Sequence, residues 1–206
     1  RVREFQLVGS VLRLSVKCGG RADVMLDRMA VFMRDLEQAE RELIEYASDM
    51  ALVFEPLRMV DFEVVFALSQ PIHVVMRASH PLAEHDTLRI RDCLRFPHVA
   101  PAASYAVRIL LDAAAKRTSS SRVNPFVESE SFDFMRHYGA WEDVLSFQFP
   151  IGLNLASSTD LVSRPLSTRD VPPGNLLLGQ LRGRTLPVAS ARFAQQLVNS
   201  LQATAS

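Results

Sequence analysis

The sequence predicts an α/β protein built in two lobes, and three observations carry that reading. The chain opens with a strand pattern, a glycine turn, helical periodicity and a second strand. Short β-branched apolar runs then alternate with amphipathic helical stretches to residue 206. No internal repeat or all-helical period interrupts the alternation, and this order of elements is the signature of a mostly parallel sheet flanked by helices.

Taken in order, Val11 to Lys17 alternate apolar and polar side chains, a strand signature that Cys18-Gly19-Gly20 ends. Ala22, Met25, Leu26, Met29, Phe32, Met33 and Leu36 recur at three- and four-residue spacing, so residues 22–36 are expected to form one amphipathic helix. Leu36, Ala39, Leu43 and Ala47 continue a helical pattern with almost no connector. Two helices in succession leave the opening short of a strand near Asp35, because a parallel unit normally returns to the sheet between helices. A lost strand and residues missing from the sequence both explain the gap, and the second is preferred. Met50-Ala-Leu-Val-Phe54, led by Asp49, is a compact run of the kind buried in parallel sheets.

Residues 63–68 and 72–76 read as strands, His80-Pro81-Leu82-Ala83 as a turn and 87–95 as a short helix. His98 to Ala100 is a brief strand ended by Pro101, and Ser104 precedes a helix through Val107, Leu110, Leu111 and Ala114. Thr118 to Ser121 is a polar loop, and Asn124 to Glu128 a strand. Ser131 is placed to cap a helix bearing Phe132, Met135 and Trp141. Residues 145–155 and 161–166 are extended, 170–174 a loop and 176–179 a strand. The closing helix starts near Pro187, where a first turn tolerates proline, and carries Ala189, Phe193, Leu197 and Leu201 on one face. Trp141, Phe147 and Phe149 are expected in the core.

Composition narrows the function. Twenty-three basic residues balance twenty-three acidic ones and are scattered among them. A direct nucleic-acid reader usually carries a basic excess or stripe, so DNA binding by this stretch is not expected. No apolar run approaches the roughly 18 to 20 residues of a membrane helix, and Arg1 to Phe5 lacks a secretory core. A disulfide between Cys18 and Cys93 competes with two reduced thiols, and their dissimilar contexts favour the latter. A cytoplasmic protein is expected.

Catalysis finds no support. The five histidines, at 73, 80, 85, 98 and 137, form no ligand pattern, and His80 and His85 are expected in a solvated loop. There is no Gly-x-Ser-x-Gly elbow, phosphate-binding loop or paired-cysteine metal motif, and no cofactor is implied.

Three stretches together resemble the regulatory domain of LysR-type bacterial transcription regulators. They are Asp49-Met-Ala-Leu-Val-Phe-Glu-Pro56, the strand and turn Ile72-His-Val-Val-Met-Arg-Ala-Ser-His-Pro-Leu-Ala83, and Leu178-Gly-Gln-Leu-Arg-Gly-Arg184 before the last helix. Their order and spacing run over nearly the whole chain. The resemblance implies a fold like type 2 periplasmic binding proteins, with two interleaved α/β lobes joined by two crossover strands and a small effector between them. Lobe I would comprise residues 10–69 and 170–206, and lobe II residues 72–165. It also implies a homodimer or tetramer through these domains, with DNA contacted only by a helix-turn-helix domain not contained in this sequence. The segment Ser146-Phe-Gln-Phe-Pro-Ile-Gly152 departs from the family's small, glycine-rich turn, which puts close transfer of pocket contacts there in doubt.

Candidate effector contacts follow at strand-to-helix junctions. Cys18-Gly19-Gly20-Arg21 offers unpaired N–H groups and a glycine backbone that a ligand can approach, which suits an anion. An ordinary tight turn is the competing reading, and the resemblance tips the balance to binding. Ala102, Ser104 and Tyr105 open the second lobe's first helix, where Ser104 is a helix cap by default. Ser129, Ser131 and Phe132 lie at the next such turn, where capping and binding stand even. Helix N-termini at both junctions suit a small carboxylate. A free-standing solute-binding protein would share fold and cleft; the coding sequence upstream of Arg1 separates it from a regulator.

Overall fold

The computed structural model describes residues 29–32, 36–55, 61–119, 123–151, 153 and 160–205. In chain order the first elements are β1 (Met29–Phe32), α1 (Leu36–Ile44), β2 (Met50–Phe54), β3 (Phe62–Gln70) and β4 (His73–Arg77). A 3-10 turn at Pro81–Glu84 leads to α2 (Ile90–Cys93), β5 (His98–Pro101), α3 (Ala106–Ser119), β6 (Val127–Ser129) and α4 (Phe132–Trp141). The chain ends with β7 (Leu145–Gln148), β8 (Leu161–Pro165), β9 (Gly174–Leu181) and α5 (Val188–Ala205). It divides into two compact units, Arg1–Ser69 with Asn175–Ser206, and Gln70–Gly174, so the chain passes twice from one to the other.

The first unit holds a four-stranded sheet in the order β1-β2-β9-β3. β1 runs parallel to β2, with Met29 opposite Met50 and Phe32 opposite Val53, and β9 runs antiparallel to β2. The β1-α1-β2 stretch is thus a parallel crossover unit. All five β2 residues are buried, which is why that strand reads as an unbroken apolar run. Ala39 and Leu43 of α1 pack with Ala51, Val53, Phe62 and Leu177 to make the core. Gly179 is required there, since a Cβ would run into the Phe62 ring.

Two expectations fail in this unit. Residues 29–32 form a strand, where a single helix was expected over 22–36; residues 22–28 lie outside the described residues. The strand thought missing near Asp35 is therefore present, a few positions earlier. Four consecutive apolar residues satisfy a helical template and a buried strand alike, and pairing with β2 decides for the strand. The strand expected at 11–17 also lies outside the described residues.

A polar clasp fastens β2 to the chain's closing segment. Asp49, 1% exposed, accepts from Arg184 Nη2 at 2.6 Å and from Ser190 Oγ at 2.7 Å. Arg184 also donates to the Ser48 carbonyl and lies 4.7 Å over the Tyr46 ring. Tyr46 ends α1 in a left-handed conformation (φ 59°), with its N–H returned to Leu43 O as in a helix C-cap.

The second unit holds a five-stranded sheet in the order β6-β5-β7-β4-β8. β5 is parallel to both β6 and β7, and β4 is antiparallel to β7 and β8. The carboxyl ends of β5, β6, β7 and β8 therefore lie on one edge of the sheet, where β4 begins. Val99, Val144 and Met135 form a core cluster beneath α4, joined by Val127 and Tyr138.

Two expectations fail here as well. Trp141 is 82% exposed at the end of α4, because Met135 supplies the helix's inward side chain and residue 141 falls on its outer face. Phe147 and Phe149 are in the core as expected. His80 is buried, not solvated: its Nδ1 accepts from Leu82 N–H and its ring packs edge-on against Phe96, while His85 is exposed. Cys93 is a free, buried thiol. No described helix is long and apolar enough to cross a membrane.

Candidate functional site

The carboxyl edge of the second unit's sheet gathers the junctions singled out in the sequence. In parallel α/β sheets this edge is where strands hand over to helix N-termini, leaving N–H groups without intrahelical acceptors. Pro101 and Ser129 end adjacent parallel strands in register, so the Ala102–Tyr105 and Glu130–Ser131 turns start side by side. The Tyr105 hydroxyl joins them directly, donating to the Glu130 carbonyl oxygen at 3.2 Å. Tyr105 is buried, Ala102 half-buried and Ser104 exposed.

Each turn has its own local cause. Tyr105 N–H donates to Ala102 O, closing a tight turn, and Tyr105 O accepts from Ile109 N–H as α3 begins. The helix starts at Ala106, so Tyr105 takes the flanking position; Ser104, expected as the cap, stands one residue too early. Ser131 does cap α4: its Oγ accepts from Phe134 N–H at 3.2 Å, with extended backbone at Ser131. Ser129 Oγ accepts from Ser131 N–H at 3.1 Å and so orders the turn ahead of the cap. Phe132 is the first residue of α4. Cys18, Gly19, Gly20 and Arg21 lie outside the described residues.

Arg108, 8% exposed, is the principal contributor that sequence reading missed. From α3 its Nη1 donates to the Pro101 carbonyl at 3.2 Å and to Glu128 Oε2 at 2.7 Å. Its Nε bonds Asp112 at 3.2 Å, and its Nη2 donates to Val123 O at 3.3 Å. It ties the last turn of β5 to β6 and to the loop before it. A guanidinium engaged by two carboxylates is committed to holding the edge together and is not a free anchor for an anion. The Arg108/Asp112 spacing of four in a helix was the available sequence signal.

The third member of the edge is the segment after β7. Phe149 packs beneath Gly174, where a Cβ would run into its ring, and Ile151 N–H donates to Gln70 Oε1 at 3.2 Å. Gln70 and Gly174 are the first and last residues of the unit. Along the same edge His73, opening β4, lies opposite Gln148 on one side and Pro165 on the other. Burial holds the His73 imidazole below its ordinary range, so it is neutral at pH 7.

Farther from this edge, Asp170 accepts from Arg89 Nε at 2.6 Å and from Ile90 N–H at 3.2 Å. The Arg89 hydrogen bond is the chief cause of its lowered pKa. Among the described residues, no group of three or more His, Cys, Asp or Glu side chains is placed to hold a metal ion.

The pattern of the LysR substrate binding domain matches residues 28–202. No curated protein matches the chain. Among solved structures, the chain is similar to the effector binding domain of QuiR in complex with shikimate, at 16% identity and TM-score 0.62, covering 81% of this chain and 78% of that one. The regulatory domain of Synechocystis PCC6803 CcmR in complex with 2-PG shares 19% identity at TM-score 0.66, over 80% of this chain and 79% of the other. HinK, a LysR family transcriptional regulator from Pseudomonas aeruginosa, shares 15% identity at TM-score 0.65, over 80% of this chain and 57% of that one. At these identities the likeness is one of fold.

Proposed function

The chain belongs to the family of LysR substrate binding domains, the effector-sensing regulatory part of LysR-type transcription regulators, and from that premise we propose that it responds to a small carboxylate-bearing effector. Its fold is the type 2 periplasmic-binding-like α/β fold, with two mixed sheets. Family membership favours the regulator over a free-standing solute-binding protein of the same fold.

The observation that carries the site is the Tyr105–Glu130 hydrogen bond, which sets two strand-to-helix turns side by side. Effector contacts are proposed at Ala102, Ser104, Tyr105, Ser129, Ser131 and Phe132; Cys18, Gly19, Gly20 and Arg21 are proposed as contacts on the sequence pattern alone. The helix dipoles at the start of α3 and α4 favour negative charge there, and the first-turn N–H groups other than Phe134 N–H, which Ser131 Oγ already caps, are the ones offered to a ligand. The committed Arg108 stiffens the edge without competing for the ligand. QuiR and CcmR were solved with the small molecules shikimate and 2-PG, which supports a small-molecule effector here.

The role is that of a sensor and not a catalyst. An effector that binds one arrangement of the protein more tightly shifts the population toward it, and the differential affinity sets how far. That shift would be passed, through a homodimer or tetramer of regulatory domains in the cytoplasm, to a DNA-binding domain elsewhere in the full protein. Isothermal titration with aliphatic and aromatic acids tests the ligand class. Binding of acids supports it; selective binding of cations or uncharged sugars overturns it.

A further inference from the structure

Gln148 closes β7 with its backbone paired to His73, and residues paired this way project from the same face of the sheet. That face also carries Val99 and Ser146, which are paired with each other, and Ser129, which is paired with Pro101. Gln148 and His73 are therefore polar neighbours at the carboxyl edge, on the same face as Ser129, from which Pro101 of the intervening β5 separates Gln148.

Gln148 is only 8% exposed, in a strand whose other residues include Leu145 and Phe147. A carboxamide taken that far out of water costs free energy unless it is hydrogen-bonded. Among the described residues it has no hydrogen-bond partner. It is also absent from the fully enclosed polar atoms that lack one, which are His80 Nε2, His98 Nε2 and Ser146 Oγ. Its stem is thus buried while its polar end reaches accessible space. His73 beside it is half-buried, with one ring nitrogen, Nδ1, 3.3 Å from Ser163 Oγ and the other uncommitted.

We propose that Gln148 and His73 form a hydrogen-bonding subsite that selects an effector bearing a hydroxyl group. This rests on the carboxylate reading above and adds the second functional group of the ligand. A carboxamide both donates and accepts, as does an imidazole with one proton, and a hydroxyl is the small group that answers both. The Gln148–His73 pair carries no net charge, so a second carboxylate placed there finds no counter-charge. The chemical class is therefore a small hydroxy monoacid. A site built to pair a hydroxyl discriminates strongly against the analogue lacking it, because its own polar groups are then left unpaired.

The test titrates the full chain calorimetrically with matched acids: lactate against propionate, and shikimate against cyclohex-1-ene-1-carboxylate. In the unmodified protein at least one hydroxylated member should bind roughly tenfold or more tighter than its deoxy partner. Gln148→Leu should bring the pair to within about twofold while leaving Tm equal or higher, since the amide has no internal bond to lose. Gln148→Met serves the same comparison if Leu lowers Tm. Equal binding of both members of every pair, or a preference that survives in the variant, overturns the subsite alone. Failure of every acid to bind overturns the carboxylate reading and the subsite with it.

Discussion

Tyr105 donates its phenolic hydrogen to the carbonyl oxygen of Glu130, 25 residues away, across 3.2 Å. One side chain thereby fixes the spacing of two turns that precede different helices. Tyr105→Phe keeps the ring and removes this bond. The expected cost is about 1 kcal/mol of stability, the usual net value of a hydrogen bond. Acid binding should weaken about threefold or more. Thermal unfolding and calorimetric titration of the variant check both.

Arg108→Met should destabilise the second unit by about 2–3 kcal/mol. Removing one partner of a buried ionic cluster ordinarily costs about 3–5 kcal/mol. The lower figure applies because the Glu128 side chain is 47% exposed and regains water. Urea unfolding of the variant measures it. An unchanged midpoint would show that the guanidinium contributes no net stability.

Asp49→Ala leaves Arg184 without its carboxylate in a site where the arginine side chain is 14% exposed. Ser190 also loses its acceptor. The expected loss is about 3 kcal/mol or more, and Asp49→Asn should recover part of it by restoring one acceptor. The two denaturation midpoints test that order.

Stability should fall on mild acidification. Burial lowers the pKa of His73, His80 and His98 from the ordinary 6.5. At His98 the hydrogen bond to the Phe96 carbonyl opposes the lowering and Arg108 adds to it, while Asp143 opposes it at His80. Well above the ordinary value of 6.5 both folded and unfolded forms are neutral at these positions and stability is at its plateau; at 6.5 the unfolded histidines are already half protonated. Below it the unfolded chain binds protons that the folded chain resists. Each histidine then removes up to about 1.4 kcal/mol per pH unit until the pH reaches its folded pKa. Asp170, lowered from 3.8 chiefly by its Arg89 hydrogen bond, adds a further loss only below its ordinary range. Tm measured from pH 8 to 5 should be flat and then decline, with a shallower decline in His98→Gln.

The alternation of strands and helices was legible because each element buries one face and so imprints its period on the chain. Met50–Phe54 and the Ser131 cap were read directly from apolar continuity and side-chain chemistry. Met29–Phe32 was misread because four apolar residues fit both periods, and only the partner strand resolves the choice. Trp141 was placed inside on hydrophobicity, although its angular position on α4 puts it outside. The junction turns could be nominated from sequence, but their being neighbours could not. That depends on Pro101 and Ser129 sharing a register, and on Tyr105 and Arg108 reaching across more than a dozen residues of chain.

The central claim, that the carboxyl edge of the second unit receives an anion, is tested most directly by backbone amide NMR during titration with small carboxylates. The account predicts saturable shifts centred on Tyr105 to Arg108 and Phe132 to Phe134, with Gln148 following when the acid carries a hydroxyl. Saturable binding that leaves those amides unmoved while perturbing the opposite edge, near His98 and Leu145, would contradict it.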